Sequence, residues 1–136
     1  MPKTWKEKFN NGKTPEVKLL QKDFAGLKAN TTMLISTPKE IAEYMDKIPS
    51  GQIISFVQMR EDLAKKHQAE GTCPVTTGIF SRIVAELALE EINQGKKPSE
   101  VTPFWRVVDP ESKLAQKLPP LVKEFIARMR ENEAYG

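Results

Sequence analysis

Apolar residues recur with helical spacing in four stretches of the chain, and the polar residues between them mark where helices start and stop. Thr37-Pro38-Lys39-Glu40 opens the first, with Thr at the N-cap, Pro at the first helical position and Glu placed to reach back as a capping box. Behind it Ile41, Tyr44, Met45 and Ile48 fall at i, i+3, i+4 and i+7, a single buried stripe that Pro49-Ser50-Gly51 ends. A short extended piece, Gln52-Ile53-Ile54, leads into a second capping box, Ser55-Phe56-Val57-Gln58, and a helix that buries Phe56, Met59 and Leu63 and ends near His67. Glu70-Gly71-Thr72-Cys73-Pro74 reads as a turn. A third helix is expected from about Thr76, carrying Ile79, Phe80, Ile83, Val84 and Leu87 on one side and stopping at Gly95.

After the linker Lys96-Lys97-Pro98-Ser99-Glu100, the β-prone run Val101 to Val108 is closed by the turn residues Asp109-Pro110-Glu111-Ser112 and reads as a wing. A last helix follows Pro119-Pro120, burying Leu121, Val122, Phe125, Ile126 and Met129, with a polar, frayed tail. The first 30 residues differ: Lys, Asn and Gly alternate with isolated Trp5, Phe9, Leu19, Leu20 and Phe24, and no period persists. They read as an irregular basic arm, residues 1–30, docked by its aromatics on a domain of residues 31–136. The expected fold class is mainly α with a short β wing. The second and third helices, with a short break between them, outline a helix-turn-helix whose third helix is the reader.

Composition narrows the classes. A chain of 136 residues with 39% hydrophobic and 29% charged positions fits one domain with one core. It contains no apolar run long enough to span a bilayer, and Met1-Pro2-Lys3-Thr4-Trp5-Lys6 opens no signal segment, so the expected location is cytoplasmic, with no membrane partner. The single cysteine, Cys73, excludes an internal disulfide, and with His67 the only histidine no metal site and no cofactor are expected. The net charge of +3 is unevenly spread: residues 1–30 carry seven Lys against three acids, whereas residues 49–95 carry four basic residues against six acids. A sequence-blind DNA binder concentrates bases on its contact element, because neutralised phosphates supply most of its affinity. The middle of this chain does not.

Four strings in order resemble the C-terminal domain of DNA alkyltransferases and the catalytically silent alkyltransferase-like proteins. Ile48-Pro49-Ser50-Gly51-Gln52-Ile53-Ile54-Ser55-Phe56 is similar to the family's entry into its helix-turn-helix. Leu63-Ala64 matches a Leu-Ala pair, with two or three extra residues ahead of it. Pro103-Phe104-Trp105-Arg106-Val107-Val108 looks like the active-site string Pro-Cys-His-Arg-Val, and Val122-Lys123-Glu124-Phe125-Ile126 resembles the closing helix. The likeness covers roughly residues 38–132 and implies a winged helix-turn-helix.

The departures from the family pattern bear on function. In an alkyltransferase a cysteine thiolate attacks the alkyl carbon with help from the adjacent histidine; the matching positions here are Phe104 and Trp105, neither a nucleophile nor a base. The silent relatives keep the histidine, so the pair departs from them too. The resemblance therefore implies no catalytic residue and no enzyme. The glycine-rich loop that walls the family's guanine pocket is replaced by Ala115-Gln116-Lys117-Leu118-Pro119-Pro120, which implies no place for an extruded base. The family's phosphate-pushing tyrosine corresponds to Phe56. Its arginine finger corresponds to Gly78 without a gap, or to Arg82 with one, which otherwise leaves Arg82 as a phosphate contact by proximity.

Several residues admit both a sharp and a plain reading. Cys73, just ahead of a helix N-terminus, is either a reactive thiol or a small buried turn residue. Thr76, Thr77, Gly78 and Ser81 make a small, polar helix start suited to close approach to a phosphate, or simply cap the helix. Phe104 and Trp105 offer a stacking platform or pack in the core, Arg106 supports them, and the lysines of the arm clamp a backbone or are merely solvated. Two functions follow. One is a non-catalytic, alkyltransferase-like binder of double-stranded DNA, related to repair and recognising alkylated or distorted duplex weakly through Arg82, Thr76, Thr77, Gly78, Ser81 and Phe56. The other is the same scaffold turned to a protein or small ligand through a former active-site pocket of Pro103, Phe104, Trp105, Arg106 and Cys73.

Overall fold

The computed structural model describes residues 2–135. It is mainly helical, with a small three-stranded sheet. In chain order the elements are α1 (Trp5–Phe9), β1 (Glu16–Leu19), β2 (Thr32–Ile35), α2 (Pro38–Asp46), α3 (Phe56–Lys66), β3 (Gly71–Thr72), α4 (Pro74–Asn93), two 3-10 turns (Pro98–Glu100 and Phe104–Arg106), α5 (Lys113–Gln116) and α6 (Val122–Tyr135).

The expected N-caps are present, but the boxes are half formed. Thr37 accepts the Glu40 N–H at 3.1 Å, and Ser55 accepts that of Gln58 at 3.0 Å. The side chains that should reach back go elsewhere: Glu40 turns inward to Ser36 and His67, and Gln58 donates to Asp62 at 2.8 Å. Helix α4 starts two residues ahead of Thr76, at Pro74, with Cys73 as its N-cap; it ends at Asn93, and Gly95 follows with a φ of +110° that suits glycine.

The largest revision concerns the strands. Val101 to Val108, expected as the wing, contains no strand and instead makes a 3-10 turn at Phe104–Arg106. The reason is burial. Successive side chains of a strand point to opposite faces, yet Phe104 and Trp105 are both in the core, at 0% and 2% exposure. The tighter turn carries both rings inward, where they pack on each other and on Phe125 with centroids 5.5 to 6.0 Å apart. The strands come from earlier in the chain, two from its first 35 residues and one from the segment between α3 and α4. β1 pairs antiparallel with β2, and β2 pairs parallel with β3, so part of the segment read as a turn is a strand and part of the arm is an edge. Glu70 fastens this arrangement, its N–H donating to the Thr32 carbonyl at 3.2 Å and its carboxylate accepting from the Thr32 N–H at 3.2 Å.

The rest of the arm is ordered too. Thr4 and Glu7 form a complete capping box for α1, which packs against α4, with Lys8 and Arg82 over the Trp5 ring at 4.4 and 5.4 Å. At the other end α6 runs to Tyr135, and Glu133 near its C-terminus is ion-paired with Arg106 at 2.7 Å. One core joins α2, α3, α4, the second 3-10 turn and α6 through Ile41, Met45, Met59, Leu63, Val84, Phe104, Trp105 and Ile126.

Candidate functional site

A recess of about 610 Å³ opens between the start of α3, the second turn of α4 and the segment after the second 3-10 turn. Ile53 to Val57 form one wall, Gly78 the second, and Val107 to Asp109 with Ser112 and Leu114 the third, while Arg130 reaches in from α6. The walls are chiefly apolar. Gly78 matters here for what it lacks: a Cβ at that position would meet nothing within 4 Å, so no close packing requires the glycine and the wall stays low. Phe56 and Gly78, both expected contact residues, are among the lining of the recess. It is walled by Val107–Leu114 in place of a glycine-rich loop.

Of the lining side chains, Ile53 and Val57 face solvent at 55% exposure; on α4, Val75 and Ile79 are 52% and 54% exposed. Val75, Gly78, Ile79 and Arg82 fall on one face of α4 by their spacing. The first two turns of that face are uncharged. Arg82, on the third, is held by Glu86 at 3.4 Å and lies over Trp5, so α1 covers that end of the face.

The other expected contact residues turn away. Thr77 and Ser81 are fully buried; the Thr77 hydroxyl donates to the Cys73 carbonyl at 2.6 Å, and the Ser81 hydroxyl, like that of Thr76, is buried without a partner. Only Gly78, Arg82, partly buried Phe56 and half-buried Thr76 remain near the surface. Of the residues of the former active-site pocket, Pro103, Trp105 and Arg106 line a recess of about 410 Å³ together with Asp46, Met129 and Glu133, while Phe104 and Cys73 are not part of its lining. Pro103, Phe104 and Trp105 are in the interior, and Cys73, also buried, donates its N–H to the Leu34 carbonyl at 2.9 Å and lies outside the core cluster that holds the two aromatics. Its buried position at the N-cap matches the plain reading. Arg106 is structural as expected: it donates to the Ile48 carbonyl at 2.6 Å and, bidentate, to Glu133 at 3.1 and 2.7 Å.

A second polar cluster joins α2 to α3. Buried Glu40 accepts from Ser36 at 2.6 Å, meets the His67 imidazole at 2.6 Å and pairs with Lys66 at 3.1 Å. Burial pushes its carboxyl up, but the hydrogen bonds from Ser36, His67 and Lys66 outweigh this and hold it below the ordinary glutamate value. Ser36 bonds the carboxylate rather than the imidazole, so no serine–histidine nucleophile is assembled. No cluster of three or more metal-ligating side chains occurs among the described residues, and no helix there is long and apolar enough to cross a membrane.

Sequence reasoning missed the recess-lining role of Ile53, Val57 and Arg130. Ile53 and Val57 did carry a signal: they flank the Ser55 cap and lie off the Phe56–Met59–Leu63 stripe, so they had no core assigned to them. No protein-family model, curated protein or solved structure matches the chain. The likeness to the alkyltransferases therefore rests on the four strings.

Proposed function

We propose that this chain is a non-catalytic binding protein that takes an apolar group of a partner protein into the recess between α3 and α4, on a scaffold of the helix-turn-helix kind. The observation that carries this reading is an apolar recess whose lining includes the exposed Ile53 and Val57, with exposed Val75 and Ile79 on the same α4 face as its wall residue Gly78. Removing the exposed half of each such side chain from water contributes roughly 1 kcal/mol, and contiguous exposed apolar surface of this kind marks interaction sites. Charge supports the same choice. Each phosphate that a cation neutralises adds about 0.9 to the salt slope of DNA binding, and the one cation on this face of α4 already has a carboxylate and an aromatic ring as partners. With Phe104 and Trp105 in the core, the positions that carry chemistry in alkyltransferases offer no nucleophile.

A second reading, weak binding of alkylated or distorted duplex DNA, is favoured by one observation: exposed Val75 and Ile79 flank the small residues Thr76-Thr77-Gly78, and minor-groove proteins insert apolar wedges of this size between base steps. Titration with an apolar fluorescent dye, and separately with plain and alkylguanine-containing duplexes at several salt concentrations, distinguishes the two. The partner reading expects dye binding that Val57→Glu abolishes and no duplex binding at physiological salt. Duplex binding with a log–log salt slope of about −3 that Arg82→Ala flattens by about one unit would replace it with the DNA reading.

A further inference from the structure

We infer that β1 is a self-complementary edge through which two copies of this chain pair antiparallel, forming a continuous six-stranded sheet across a two-fold axis. Three observations on the strand lead there.

The first is which way its backbone faces. On β2, the Thr32 and Leu34 carbonyls turn to the β3 side and accept from the Glu70 and Cys73 N–H groups at 3.2 and 2.9 Å. Alternation in a strand then gives Met33 and Ile35 to β1, where they stand opposite Lys18 and Glu16. The bond from the Leu20 N–H to the Thr31 carbonyl at 2.9 Å continues the same phase. Val17 and Leu19 therefore direct their N–H and C=O groups away from the sheet. β1 is the outer strand of the order β1-β2-β3, and every residue of it is exposed among the described residues.

The second is the register that a two-fold axis at Val17 produces. Val17 of each copy exchanges both N–H···O bonds with Val17 of the other. Two residues out, Leu19 of one copy faces Pro15 of its mate. The Leu19 N–H is free to donate to the Pro15 carbonyl, and Pro15, which has no N–H, leaves no donor stranded. A proline that ordinarily blunts an edge is compatible with this pairing.

The third is charge. Between these hydrogen-bonded pairs stand the close, non-hydrogen-bonded ones, and there Glu16 meets Lys18 of the second copy twice, once on each side of the axis. Within one copy the same two side chains already lie on one face, with the Lys18 ammonium 3.6 Å from the Glu16 carboxylate and both more than half exposed. On the other face Val17, 44% exposed, meets Val17 of the second copy, and Leu19, 65% exposed, meets Pro15. Opposite charges directly across and β-branched self-pairing are what an isologous strand interface requires. A four-residue strand buries less than a standard interface, so the dimer is weak, with a dissociation constant on the order of 100 µM.

Sedimentation velocity of the full chain from roughly 10 µM to 1 mM tests this, with circular dichroism to confirm that each variant is folded. Wild type is expected to move reversibly from monomer to dimer across the range. Lys18→Glu, which sets Glu16 against a second carboxylate, raises the dissociation constant by roughly tenfold or more, and the double reversal Glu16→Lys with Lys18→Glu restores it. Val17→Pro removes an outward N–H that the fold does not use and abolishes dimerisation without unfolding. A chain that stays monomeric throughout overturns the inference. So does a dimer that ignores both Lys18→Glu and Val17→Pro, or a double reversal that fails to recover what the single change lost.

Discussion

Two apolar regions of this molecule treat their side chains in opposite ways. Around the second 3-10 turn, Phe104 and Trp105 are sealed by Phe125, and the neighbouring carbonyls of Ile48, Trp105 and Val108 are taken by Arg106 and Arg130 at 2.6 to 3.0 Å. At the recess Ile53 and Val57, and on the adjoining α4 face Val75 and Ile79, stay more than half exposed, and no cation left unpaired stands on that face of α4. The first region has already removed its apolar surface from water; the second still has that free energy to gain. The positions that resemble a catalytic site thus hold the fold together, and the uncovered surface lies one element away.

The contrast predicts unequal responses to substitution. The largest is expected at the sealed turn: Trp105→Ala should cost about 3–5 kcal/mol of unfolding free energy, as aromatic deletions from a core do, read by urea denaturation. A loss below about 1 kcal/mol would mean that the sealed aromatics contribute little to the fold. Next comes the ion pair beneath it. Arg106→Met leaves Glu133, only 12% exposed, without its partner, and should cost about 2–4 kcal/mol. Adding Glu133→Leu should recover much of this, since the uncompensated charge is then gone.

A smaller effect is expected at the tie between α2 and α3, and it depends on pH. Because Glu40 is held below its ordinary value, it contributes stability that is present above the unfolded glutamate pKa of about 4.3 and is lost as pH falls through its lower folded value. Glu40→Gln should therefore be less stable than wild type by about 1–2 kcal/mol near neutrality, with the gap closing in acid. Thermal melts across pH read this, and a gap that widens on acidification would reverse the assignment. The smallest effect belongs to the open surface: Ile79→Thr and Val57→Thr should change stability by no more than about 0.5 kcal/mol while clearly weakening binding of an apolar dye. A large stability loss there would show that these side chains serve the core after all.

Much of the architecture could be read along the chain. Helical spacing and capping residues located α2, α3, α4 and α6 to within a few residues, because the determinants of a helix end lie within one turn of it: Thr37, Ser55 and Gly95 act on their own neighbours. Pro119-Pro120 likewise preceded α6 as read. What the side chains of Glu40 and Gln58 would do was not legible, since each found a partner off the local path, at His67 and Asp62. Strands failed for the same reason at larger scale. β3 exists because the chain leaving α3 runs beside β2, and β1 because the arm folds back on it; neither pairing is encoded within the strand that makes it.

The candidate site divided along the same line. From the sequence alone came the absence of a nucleophilic or basic side chain at Phe104 and Trp105 and the net negative charge of residues 49–95. Only the tertiary structure decided that two adjacent aromatics enter the core through a 3-10 turn, that Thr77 and Ser81 face inward, and that Arg82 is occupied by Glu86 and Trp5. Residue type determines which chemistry a position can perform, whereas exposure and partnership are properties of the packed chain, set by contacts between segments far apart in sequence.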